Sequence, residues 1–167
     1  MTARTYDYAE PAHLLKALGD DPGRTLIERI ARRELPGTTL AATLGMRPVL
    51  VEDGRVEITL ICAPHLANVM GTLHGGAIAS LCDAACGFAV ISTLGPREWF
   101  TTMDLSTKML RGSGLDGQEV RAVGEVIRRG RRTAVAEARV YTERDKLLAT
   151  SVSSCLILDR AEVTQKR

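Results

Sequence analysis

Asn68, the run His74-Gly75-Gly76 and Asp83 are the residues of this chain whose types and spacing could do chemistry. The two glycines open an apolar run that reads as a helix. Without side chains, they leave its first N–H groups open to an approaching oxygen. A helix N-terminus also carries about half a positive charge from its aligned peptide dipoles. Together these suit a carbonyl that becomes an oxyanion. Asp83 comes eight residues after Gly75. At about 100° per residue it shares a face with Gly76, Ala79, Ser80 and Gly87, all small. A carboxylate on such a face is costly to bury unless it is paired or put to use. Each feature also has a plainer reading. Asp83 could cap a neighbouring helix or pair with an arginine, and His-Gly-Gly could be only a loop-to-helix turn. The combination is harder to dismiss than any one part.

The surrounding pattern supplies elements to hold these groups. Residues 11–34 read as a helical extension, with Leu14, Leu15, Leu18, Leu26, Ile27 and Ile30 at three- and four-residue steps. Gly19-Asp-Asp-Pro-Gly23 breaks it into two short helices, and Pro36-Gly37 ends it. From about Leu44 the pattern turns to strands. Met46 to Glu52 and Arg55 to Cys62 flank Asp53-Gly54, a hairpin turn. A loop from Ala63 to Leu73 leads into the one long helix, about Gly75 to Thr93. Three or four long strands follow: Trp99 to Leu110, Glu119 to Arg128, Arg132 to Thr142 and Leu147 to Leu158. The expected order is hairpin, helix, then antiparallel meander, with one sheet wrapped around one apolar helix. Residues 1–40 form the N-terminal helical extension, 41–160 the single α+β domain and 161–167 a tail.

Bulk composition removes several function classes. With 167 residues, 45% hydrophobic and 25% charged, the chain reads as one ordinary globular domain. A net charge of +2 gives no chain-wide basic surface for nucleic acid. No stretch approaches the ~20 uninterrupted apolar residues of a membrane span, and Met1 to Glu10 lacks a signal-peptide core. A cytoplasmic address is therefore expected. The four cysteines, Cys62, Cys82, Cys86 and Cys155, lie in apolar segments without ligand spacing, as free buried thiols would. The three histidines have no acidic partners at ligand spacing, so no metal is expected. His13 and His65 read as surface residues, and Trp99 as a packing residue.

Asn68-x5-His74-Gly75-Gly76-x6-Asp83-x-Ala85 resembles the signature of hotdog-fold acyl-CoA thioesterases of the phenylacetate-degradation type, a group that includes the 4-hydroxybenzoyl-CoA thioesterases. The resemblance covers about residues 44–158, and the extension lies outside it. It implies a hotdog fold, an antiparallel sheet wrapped around one long central helix. It implies hydrolysis of an aryl- or medium-chain acyl-CoA, with coenzyme A as part of the substrate and no cofactor. By the same resemblance Asp83 is the catalytic carboxylate, as nucleophile or as general base on water. The Gly75 N–H polarises the carbonyl, with Gly76 beside it. His74 and Asn68 orient the thioester and water, and Thr102 helps hold the water. Relatives build the site across a dimer interface and are commonly dimers of dimers, which implies a homodimer or homotetramer here. A thiolate departs more readily than an alkoxide, so carbonyl activation and a placed carboxylate suffice without a Ser-His-Asp triad.

Arg128-Arg-Gly-Arg-Arg132 forms a second patch at a strand turn. It reads either as a solvated hairpin end or as a phosphate site, since Arg forks suit phosphate oxygens. In similar thioesterases this turn region meets the nucleotide end of coenzyme A, which makes Arg128, Gly130 and Arg131 the candidates. Two other readings compete with the hydrolase. One is a hotdog hydratase or dehydratase, which would leave Asn68 unexplained. The other is a non-catalytic acyl-CoA sensor, which the presence of Asp83 disfavours.

Overall fold

The computed structural model describes residues 2–18 and 21–161. The Gly19-Asp20 part of the expected break, the side chains of Leu15 and Leu18, and the tail beyond Ala161 lie outside the described residues. Three helices come first: α1 (Pro11–Leu18), α2 (Gly23–Ala31) and α3 (Thr39–Leu44). The strand pair β1 (Met46–Glu52) and β2 (Arg55–Ile61) follows, then the long helix α4 (Gly75–Ser92). The chain finishes with β3 (Glu98–Met109), β4 (Glu119–Arg129), β5 (Thr133–Thr142) and β6 (Leu147–Asp159). Helix α3 was not anticipated. It is one short turn-and-a-half closed by Gly45 in the left-handed region at φ 80°, and six residues give too little periodicity to read.

All pairings are antiparallel, in the order β1-β2-β4-β5-β6-β3. The expected meander therefore holds only for β4-β5-β6. Strand β3 pairs with β6 instead of β4, and residues 110–118 carry the chain back across the sheet to β2's side. Side-chain character explains the placement. In β4, Val120, Ala122 and Gly124 are buried in alternation, the pattern of a central strand. In β3, Thr101, Met103, Asp104, Ser106 and Lys108 are exposed, the pattern of an edge.

Helix α4 packs on the inner face of this sheet. Leu81, Cys82, Ala85, Cys86, Ala89 and Val90 are fully buried against it. By length and hydropathy, 1.5 over its 18 residues, α4 could cross a membrane, but 67% of it is buried inside the fold. The sheet face beneath it is built from small residues: Ala134, Ala136 and Ala138 on β5, and Ala149, Ser151 and Ser153 on β6. Closest approach falls at Gly124, where an added Cβ would lie 2.1 Å from the Ala85 carbonyl oxygen. A second close approach docks the extension. Gly23 N–H donates to Leu94 O at 3.1 Å, and a Cβ there would lie 2.4 Å from Ile91 O. Leu26 and Ile30 of α2 pack with Leu35 and Trp99.

Gly124→Ala therefore has no neighbour able to give way except the α4 backbone. It should destabilise by about 3 kcal/mol, the upper range for overpacking. Thermal unfolding should show a melting temperature lower by roughly 6–12 °C; an unchanged value would mean α4 does not sit this close.

Candidate active site

The loop before α4 is folded by Asn68. Its Oδ1 accepts from Met70 N at 2.9 Å and Thr72 N at 3.1 Å, and its Nδ2 donates to Thr72 Oγ1 at 2.8 Å. Asn68 N donates to Thr72 O, Gly71 N to Asn68 O, and His74 N to Leu66 O. The side chain of Asn68 thus closes its own loop and delivers His74 to the start of α4, with one Nδ2 hydrogen left over. There His74 is the N-cap. Its Nδ1 accepts from Gly76 N at 2.8 Å, so the neutral ring carries its proton on Nε2. The His74 carbonyl accepts from Ala77 N and Ile78 N. Of the first four helical donors only the Gly75 N–H has no acceptor among the described residues. Met109 lies beside it, with Cε 3.6 Å from where a Gly75 Cβ would be.

Asp83 belongs to a second cluster. Thr102 Oγ1 donates to Asp83 Oδ1 at 3.1 Å. The register of β3 against β6 shifts between Thr102 and Asp104, a bulge next to the carboxylate. Strand β3 runs antiparallel along α4. Phe100 fills the space at Gly87, Thr102 meets Asp83, and Met109 reaches Gly75. The neighbouring thiols are poor nucleophiles. Burial first, then the Asp83 charge, pushes the Cys82 thiol up to about 12. Burial likewise raises the thiols of Cys86 and Cys155.

The two clusters are separate within one chain. Eight helical steps from Gly75 to Asp83 span about 12 Å along the axis. A carbonyl held by one cannot be attacked from the other, because reacting atoms must come within about 3–3.5 Å.

The arginine turn lies at the Asp83 end of the sheet. Thr102 pairs with Cys155, and Cys155 with Ala134, so the start of β5 is two strands, roughly 10 Å, from Thr102. Arg129 is committed to Glu98 at 2.5 Å. Arg128, Arg131 and Arg132 are exposed, with no carboxylate partner among the described residues. Arg131 and Arg97 share a cleft of about 330 Å³ with Glu98 and Asp159. Gly130 does not offer its N–H, which already donates to Thr133 O at 2.8 Å; it serves to tighten the turn. His13 and His65 are exposed. Among the described residues no group of three or more His, Cys, Asp or Glu could hold a metal.

The family model described as "Thioesterase superfamily" matches residues 70–149, from the loop before His74 into β6. A conserved protein of Pseudomonas aeruginosa has a solved structure that is 36% identical, with a TM-score of 0.70 over 75% of this chain and 98% of its own. The chain belongs to the thioesterase superfamily. A thioesterase family protein from Silicibacter pomeroyi is 26% identical, with a TM-score of 0.70 over 80% of this chain and 98% of that one. The E. coli PaaI protein from the phenylacetic acid degradation operon shares the fold at 20% identity, with a TM-score of 0.71 over 79% and 93%. The 1,4-dihydroxy-2-naphthoyl-CoA hydrolase of Listeria monocytogenes serotype 1/2a (strain 10403S) is 29% identical over 120 residues, 71% of this chain and 93% of that protein. This chain is thus a thioester hydrolase with the hotdog fold.

Three residues of this thioesterase's site region carried no sequence signal. Met109 beside Gly75 looks like any strand methionine. Ser113, whose carbonyl accepts from Leu73 N at 2.9 Å, is buried in a glycine-flanked loop. Glu98 holds Arg129 although β3 and β4 are not neighbours in the sheet.

His74 acts on stability through its cap. His74→Ala should cost about 1 kcal/mol, a drop of roughly 2–4 °C in melting temperature. His74→Asn, which keeps a capping acceptor, should recover most of it. Equal losses in both variants would show that the imidazole is not the cap.

Proposed function

We propose that this protein hydrolyses the thioester of an aryl- or medium-chain acyl-CoA, in the cytoplasm and without a cofactor, at sites that each join Gly75 of one copy to Asp83 of a second. The observation that carries this reading is the rise of ~12 Å along one rigid helix from the residue with the free N–H to the residue with the carboxylate. Two-fold symmetry closes the gap. Gly75 and Asp83 lie four residues either side of Ala79. An axis passing that small residue sets Asp83 of one α4 against Gly75 of the other, and makes two identical sites. Thr102 and Met109 lie likewise about the midpoint of Leu105 and Ser106, so an antiparallel pairing of two β3 edges centred there has the same symmetry. A dimer of dimers leaves this composition unchanged.

In such a site the Gly75 N–H and the α4 dipole stabilise the oxyanion as the carbonyl is attacked. With Asp83 as general base, it takes a proton from water while the water oxygen bonds to carbon. The C–S bond then breaks, and the thiolate leaves with the coenzyme. With Asp83 as nucleophile, a mixed anhydride forms first and water cleaves it. Thr102, donating to Asp83, fixes the carboxylate for either route. Arg131 and Arg128 take the phosphates of the coenzyme as bidentate forks. His74 is exposed, so its Nε2 proton is available to the thioester.

Gly75→Pro tests the oxyanion donor alone. Proline is favoured at the first helical position, and His74 already has the extended ψ of 136° that a following proline needs. The variant should fold as well as the parent while kcat for thiol release from acyl-CoAs falls by about 10²–10³. Asp83→Asn should lose at least ~10². Unaltered kcat in either would remove that residue from the chemistry. Thiol release by neither parent nor variants, with acyl-CoA still bound, would favour the sensor.

Mixing the two variants tests the shared site. Subunits carrying Gly75→Pro and Asp83→Asn, unfolded and refolded together, should regain up to about a quarter of parental activity, because half the dimers would hold one intact site of two. Mixtures no more active than their parts would place each site within one chain.

A further inference from the structure

A cleft of about 520 Å³ lies between α2, α3 and β1, at the sheet edge opposite β3. That volume is in the ~300–1,000 Å³ range of small-molecule sites. Its floor is apolar, formed by Ile30, Leu35, Ala41 and Met46. Arg33 and Arg47 line it and have no hydrogen-bonded or ion-paired side-chain partner among the described residues. The nearest acid in sequence, Glu34, is committed to Arg32 at 2.7 Å. A third guanidinium, that of Arg4, lies close by. It donates to Thr43 O, and its Nη2 is 3.9 Å from where a Gly45 Cβ would be.

Arg33 also sits where arginine is unfavourable. It follows the end of α2 at φ 61°, the left-handed position that usually takes glycine. Its N–H donates to Ile30 O, and Glu34 N to Arg29 O, so the turn is a well-formed helix stop. Glycine would make the same turn with less strain. A strained side chain that also lines a cleft is the combination expected where the side chain has a use.

We propose that this cleft binds a medium-chain carboxylate, with the anionic head between Arg33 and Arg47 and the tail on Ile30, Leu35 and Met46. Two unpaired forks select an anion, and the apolar floor selects a tail over a bare inorganic ion. The site is separate from the Asp83–Thr102 pair and stands independently of the hydrolase reading. Free carboxylates are also what thioester hydrolysis releases, so the cleft would let product accumulation act on the extension.

Trp99, the chain's one tryptophan, packs with Leu35 against the Leu26–Ile30 cluster that borders the cleft and so reports on it. Its fluorescence in the full chain would be followed while octanoate is added, with octanol and inorganic phosphate as controls. Octanoate should give a saturable change that the controls do not. Arg33→Gly and Arg47→Gln should each weaken it roughly tenfold or more. Arg33→Gly should at the same time raise the melting temperature, which excludes misfolding as the cause. A change that persists in both variants, equal binding of octanol or phosphate, or no saturable change with octanoate would each overturn the proposal.

Discussion

Helix α4 can lie on this sheet only because Gly124 has no side chain. The Ala85 carbonyl occupies the space that any Cβ would need, and the surrounding floor of alanines and serines on β5 and β6 keeps the same low profile. Larger residues there would lift the helix and move Asp83 away from Thr102. The 3.1 Å hydrogen bond between them is thus set by packing several residues away. Small side chains bury little apolar area each, so this geometry trades hydrophobic stabilisation for approach. Larger residues elsewhere in the core, such as Ile58, Leu60, Leu81 and Leu148, supply that burial.

Once α4 is seated, its rigidity determines what the site can be. A helix fixes the spacing of its residues, so the anion-stabilising end and the carboxylate cannot be brought together by loop motion. The N-terminal end is finished by local bonds and one distant one, from Leu73 N to Ser113 O. Asn68 closes the loop, His74 caps Gly76, and one amide is left over. The carboxylate end is finished by tertiary structure, through the bulge in β3 that aims Thr102. Each half is complete in one chain, yet neither suffices for attack on a carbonyl. A second copy is therefore a chemical requirement of the proposed site.

The local half was legible in the sequence, and the tertiary half much less so. His-Gly-Gly before an apolar run specifies a capped helix start by short-range chemistry, and the hairpin at Asp53-Gly54 and the strand limits follow similar rules. The placement of β3 did not follow. A polar-faced strand after the helix is compatible with pairing to β4 or to β6, and the decision rests on which strand buries both neighbours. The resemblance places Asn68 as a residue that orients thioester and water, while its Oδ1 accepts from Met70 N and Thr72 N and so also folds the loop before α4. The cleft of Arg33 and Arg47 has no sequence signal, because the two share it only when the extension folds against β1.

The two edges of the sheet are treated differently, and the difference bears on how copies meet. Strand β1 is blunted. Pro48 lacks an N–H, the register slips between Pro48 and Leu50, and α2 packs against the strand. Strand β3 is 12 residues long, contains no proline, and has neighbours on one side only. Met103, Met109 and Leu110 are about half exposed along or just beyond it. An edge of that length left open invites uncontrolled strand addition, whereas a two-fold pairing consumes it completely. The same strand touches both halves of the proposed site, at Thr102 and at Met109. The surface that must be covered to prevent aggregation is thus the surface that must be covered to assemble the chemistry, and one symmetric contact would do both.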